Sequence, residues 1–96
     1  MEKVLVQFRV PGVSTKQFDQ AWDDLRAAGQ TNPKGLLHHV AAHQDNNLVV
    51  IDVWESQEEF AKFGETLGPI MAKNGIEGQP TITPVHYELY GTTVLV

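Results

Sequence analysis

The sequence predicts an α+β domain in the order β-α-β-β-α-β, and three observations carry that prediction. Extended runs rich in β-branched residues alternate with runs whose apolar residues recur at helical spacing. Each helical run is preceded by a serine with Gln or Glu three residues on, the pattern of a capping box. The chain has 96 residues, enough for one small domain and too few for a separate cofactor-binding module. Residues 1–96 are therefore read as a single domain with a core over 3–90 and a short apolar tail over 91–96.

In the first strand Val4, Val6, Phe8 and Val10 recur at period two until Pro11-Gly12 stops the run. Ser14 and Gln17 cap the first helix. Its stripe is Phe18, Ala21, Trp22, Leu25 and Ala28, at i, i+3, i+4, i+7 and i+10, and Gly29 ends it. Phe18 and Trp22 are read as core residues. Residues 36–43 and 48–54 form the second and third strands. They are joined by Gln44-Asp45-Asn46-Asn47, whose Asp and Asn residues tolerate the left-handed backbone of a tight hairpin. Ser56 and Glu59 supply the second capping box, ahead of a stripe of Phe60, Phe63, Leu67, Ile70 and Met71. Pro69 removes a backbone donor there, so the second helix is expected to kink or restart before it finishes at Asn74-Gly75. Residues 81–90 read as the fourth strand, with Val85, Tyr87 and Leu89 on one face.

This order is met by the ferredoxin-like split β-α-β arrangement, a four-stranded antiparallel sheet with both helices on one face. Two short helices leave the other face bare. The third strand nonetheless carries apolar residues on both sides, Val49, Ile51 and Val53 against Leu48, Val50 and Trp54. A second copy of the chain is expected to cover that face, and the tail 91–96 is placed to add a strand to the partner's sheet. A domain of this length has a marginal core, and with no cysteine it has no disulfide to reinforce it. A homodimer is the expected remedy.

Seven basic residues against twelve acidic ones give a net charge of −5, and no basic run is long enough to track phosphates, so nucleic acid is not an expected partner. No apolar stretch reaches membrane-spanning length, and Met1-Glu2-Lys3 has neither the charged nor the apolar region of a signal peptide. The expected location is the cytoplasm, without a membrane partner.

A hairpin closing on Asp45-Asn46 pairs His43 with Leu48, Ala41 with Val50, His39 with Asp52 and Leu37 with Trp54 on one face. The opposite face then holds His38, Val40, Ala42, Val49, Ile51 and Val53. The second set is the more apolar, so the helices are expected on it, with the His39–Asp52 set on the open face. An Asp across from a His is a coherent acid/base unit, because the carboxylate orients the ring and fixes its tautomer. A cross-strand polar pair that merely satisfies two groups fits the same residues. His39 and His43 are about 13 Å apart at strand rise, and His38 points away, so no metal site is expected within the chain. His39 and Asp52 are the candidate catalytic residues; Trp54, Leu37, His43, Phe63 and His86 are candidates for substrate contact.

The segment VVIDVWESQEEF, residues 49–60, has an acidic residue two before a Trp and then Glu-Ser with an acidic helix start. It resembles the third strand and second helix of the antibiotic biosynthesis monooxygenase-like domains of the dimeric α+β barrel superfamily. Gly35-Leu36-Leu37-His38-His39 is similar to that family's approach to the second strand. The resemblance covers nearly the whole of residues 3–90. It implies that Asp52 and Trp54 face a cavity, between helices and sheet or between two sheets, that holds a hydrophobic aromatic substrate of polyphenol or quinol type. It further implies a cofactor-independent monooxygenase, with no cofactor and with His39 as base. Haem-degrading relatives carry a histidine on or after the second helix, and residues 55–85 contain none. The family also includes members without known activity, so a non-catalytic dimeric ligand-binding or stress-response protein stands as the alternative.

Overall fold

The computed structural model describes residues 2–88; the tail 91–96 and its strand exchange lie outside them, as does Leu89. Six elements follow in order: β1 (Val4–Pro11), α1 (Thr15–Ala27), β2 (Leu36–Gln44), β3 (Asn47–Trp54), α2 (Gln57–Lys73) and β4 (Thr81–Pro84). The strands form one sheet in the order β2-β3-β1-β4, and every neighbouring pair is antiparallel. This is the expected ferredoxin-like α+β architecture. Among the described residues no helix is long and apolar enough to cross a membrane.

Local chemistry fixes the element ends. Ser14 Oγ accepts from the Gln17 N–H at 3.1 Å while Gln17 Oε1 accepts from the Ser14 N–H at 2.9 Å, a complete capping box. Asp45 and Asn46 have φ of 50° and 63°, the pair of left-handed residues that a two-residue hairpin turn demands. At the start of α2 the cap is half of what the sequence predicts: Ser56 Oγ accepts from the Glu59 N–H at 3.2 Å. The Glu59 side chain turns instead towards Lys34, 3.8 Å away, and packs over Gly35.

Two further expectations are corrected. Helix α2 runs through Pro69 without restarting, because Leu67, Ile70 and Met71 pack against the core on both sides of the missing hydrogen bond. Strand β4 stops at Pro84 rather than residue 90. Its ladder with β1 ends at the pair Val4–Pro84, followed by one further bond from the Val85 N–H to the Lys3 carbonyl at 3.0 Å.

The core lies between the helices and one face of the sheet. Val4, Val6, Phe8 and Val10 point into it with Leu48, Val50 and Trp54, meeting Ala21 and Leu25 of α1 and Phe60 and Phe63 of α2. Trp54 and Val6 are fully buried, and excluding one such side chain from water contributes about 1.5–3 kcal/mol. The face assignment expected for the hairpin is therefore reversed: Leu48, Val50, Asp52 and Trp54 face the helices, while Val40 and Ile51 are exposed at 61% and 38%. The reason lies in β1. Its apolar set pairs directly with Trp54, Asp52, Val50 and Leu48, and directly opposed residues share a face.

Candidate active site

The site is built on the β2–β3 ladder. The register places His39 opposite Asp52, as the hairpin arithmetic predicts. Their side chains meet with Nδ1 of His39 2.6 Å from Oδ1 of Asp52. A carboxylate only accepts, so Nδ1–H donates, and in the neutral ring Nε2 carries the lone pair. The other oxygen, Oδ2, accepts from Nε1–H of Trp54 at 3.3 Å. Asp52 is 6% exposed, and these two donors explain how a carboxylate sits that deep. The His39 side chain is less sheltered, 27% exposed, because β2 is an edge strand.

Helix α1 flanks the imidazole. Phe18 lies parallel to it, with ring centroids 6.2 Å apart and planes at 6°, and Trp22 meets it edge-on at 5.0 Å. Both residues pack against the core only in part. Reading them as core alone missed their place beside His39. The i, i+4 spacing that puts them on one helix face was the available signal; the approach of that face to β2 was not visible in it.

Two spaces adjoin His39. On the inner side is an apolar cavity of about 60 Å³ between helices and sheet, reaching past Asp52 to Val50, Phe63, Leu67 and Met71. On the outer side is an open recess of about 620 Å³ whose rim carries Asp19, Asp23, Arg26 and Thr31. Phe18, Trp22 and His39 line both.

Of the residues proposed from sequence, the structure brings His39, Asp52 and Phe63 together around the cavity. Trp54 stands one layer behind, donating to Asp52 and packed on Phe63 with ring centroids 5.1 Å apart. The remaining three lie elsewhere. A register shift between Leu36 and His38 brings Leu36, not Leu37, opposite Trp54, and Leu37 is 36% exposed. His43 donates from Nε2 to the Val13 carbonyl at 2.8 Å, tying the hairpin end to the start of α1. His86 is exposed just beyond β4. Among the described residues no three or more His, Cys, Asp or Glu side chains gather as a metal-binding group.

Neither a family model nor a curated protein matches the chain. Solved structures do. SnoaB, a cofactor-independent oxygenase from Streptomyces nogalater, superposes with a TM-score of 0.68 at 16% identity, over 93% of this chain and 98% of that one. A candidate antibiotic biosynthesis monooxygenase from Chloroflexus aurantiacus gives 0.63 at 15% identity, over 95% and 99%. A dimeric ferredoxin-like protein from an uncultured marine organism gives 0.65 at 13% identity, over 96% and 95%. The chain thus has the ferredoxin-like fold of the antibiotic biosynthesis monooxygenase-like proteins.

Proposed function

We propose that this protein is a cofactor-independent monooxygenase acting on a hydrophobic aromatic substrate of phenol or quinol type. The observation that carries the reading is the His39–Asp52 pair, joined at 2.6 Å and flanked by aromatic rings at an apolar cavity. Nε2 of His39 accepts the phenolic proton, and Asp52 stabilises the imidazolium that forms. The phenolate's electron pair reduces dioxygen at a ring carbon, giving a carbon-bound peroxide that takes the proton back from His39. Loss of the ring hydrogen with cleavage of the O–O bond expels one water and leaves a quinone carbonyl. One oxygen atom enters the product, the other leaves as water, and the substrate supplies both electron pairs. The fold shared with a cofactor-independent oxygenase supports this reading.

The protein works as a homodimer in this proposal. Val40 and Ile51 are cross-strand partners on the uncovered face, and a second copy laid on that face removes them from water. A similar fold occurs in a protein described as dimeric.

The test is dioxygen consumption with a panel of hydroquinones and anthrones, in wild type and His39→Gln. Removing a general base lowers turnover by about 10²–10⁴-fold. Absence of turnover across the panel would leave the non-catalytic ligand-binding alternative.

A further inference from the structure

The junction between the two helices holds a covalent reaction in check. Asn74-Gly75 is the one Asn-Gly dipeptide in the chain. It closes α2: Asn74 is the C-cap, and Gly75, at φ of 70°, is the left-handed residue after it. Asn-Gly is the dipeptide most open to deamidation, because glycine puts no Cβ in the way of its own nitrogen. That nitrogen attacks Cγ of the asparagine, a C–N bond forms, and the side-chain nitrogen leaves as ammonia. Water then opens the cyclic imide at either carbonyl, giving aspartate or isoaspartate. The net change is amide plus water to carboxylate plus ammonium, with no oxidant or cofactor.

The fold restrains each part of this reaction. The leaving nitrogen, Nδ2 of Asn74, donates to Asp24 Oδ2 and to the Ile70 carbonyl, each at 2.9 Å. The attacking nitrogen donates its hydrogen to the Ala72 carbonyl at 3.2 Å. Ring closure needs the Gly75 nitrogen turned onto Cβ of Asn74, whereas a ψ of 10° turns it towards that residue's own nitrogen. The Asn74 carbonyl accepts from Gln17 Nε2 at 3.0 Å, which resists rotation of the same peptide. Asp24 and Gln17 both belong to α1. We propose that Asn74 is a self-modification site guarded by α1. It deamidates when the end of α2 separates from α1, and its new carboxylate, facing Asp24, keeps the two helices from closing as before. Aspartate has no side-chain N–H, so both bonds from Nδ2 are lost and two carboxylates oppose each other.

Deamidation is followed by peptide mass analysis of the full chain held in mildly alkaline buffer. A reaction that requires local opening runs in proportion to the open fraction, so residue 74 is expected to convert about tenfold or more slowly in the folded chain than in urea-unfolded chain. Asp24→Ala is expected to raise the folded rate severalfold at a temperature well below its melt. If that variant does not fold, wild type in urea below its unfolding transition takes its place, with the same rise expected. Equal rates in folded and unfolded chain, or no rise in this second comparison, overturn the guard. The consequence is read in Asn74→Asp, which is expected to melt below wild type. Exchanging the pair, Asp24→Asn with Asn74→Asp, sets an amide against a carboxylate again and is expected to recover part of that loss. An Asn74→Asp chain that melts with wild type, or a double variant with no recovery, overturns the opposed carboxylates as the reason the helices stay apart.

Discussion

Asp52 and His39 face each other across the β3–β2 ladder, and their side chains meet at 2.6 Å on the helix side of the sheet. Because the carboxylate accepts, the neutral ring is held as the Nδ1–H tautomer with Nε2 free to act as a base. Nitrogen chemical shifts of His39 are expected to report a protonated Nδ1 and an unprotonated Nε2. Asp52→Ala is expected to release the ring to a tautomer mixture and, by leaving the Trp54 N–H without its acceptor, to destabilise the fold by about 1–3 kcal/mol.

Gly35 is required by geometry. It has φ of +89°, and a Cβ added there would stand 2.6 Å from Cβ of Glu59. Gly35→Ala is expected to destabilise by more than about 1 kcal/mol, since left-handed strain and the clash with α2 act together. Gly64 lies inside α2 with open space around it, so Gly64→Ala is expected to stabilise by about 1 kcal/mol. Urea denaturation of the two variants checks the contrast.

Asp24 links α1 to the end of α2. Asn74 Nδ2 donates to Asp24 Oδ2 at 2.9 Å and Gln20 Nε2 to Oδ1 at 3.0 Å, and these bonds, with Lys73 nearby, hold the carboxyl below its ordinary value of 3.8. A carboxyl lowered in the folded state contributes stability that is complete above its unfolded value and is lost as pH falls through the lower folded one. Asn74→Ala is therefore expected to lower the melting temperature at neutral pH by more than it does in strong acid, where Asp24 is protonated. Thermal melts of both proteins across the acid range measure that difference.

The uncovered sheet face gives a test of assembly. Val40 and Ile51 are paired, so Val40→Lys with Ile51→Glu places opposite charges across one rung and keeps the strand pairing. Sedimentation is expected to show a dimer for wild type and a folded monomer for the double variant. A wild-type monomer at micromolar concentration would end the homodimer proposal.

Much of this architecture is legible in sequence because it is set by local rules. The Ser14–Gln17 box, the Asp45-Asn46 turn and the His39–Asp52 register all follow from residues within a few positions of one another. What failed was non-local. Comparing the two apolar sets of the hairpin favoured the one with Val40 and Ile51 as the buried side, yet the deciding partner was β1, whose Val6 pairs with Asp52 and whose Phe8 pairs with Val50. A polar residue looked wrong for the core face because its two donors, His39 and Trp54, could be counted only once the side chains were placed. The bulge before His38 moved Leu37 out of line for a similar reason: strand pairing read as a uniform ladder does not anticipate an extra residue.

The most direct test of the catalytic account is dioxygen uptake with a hydroquinone or anthrone substrate, followed with quinone formation in wild type, His39→Gln and Asp52→Asn. The account predicts one quinone formed per dioxygen consumed in wild type. It predicts a loss of about 10²-fold or more for His39→Gln and a smaller loss for Asp52→Asn, whose amide still reaches the ring. Equal rates in all three proteins would contradict the assignment of His39 as the base.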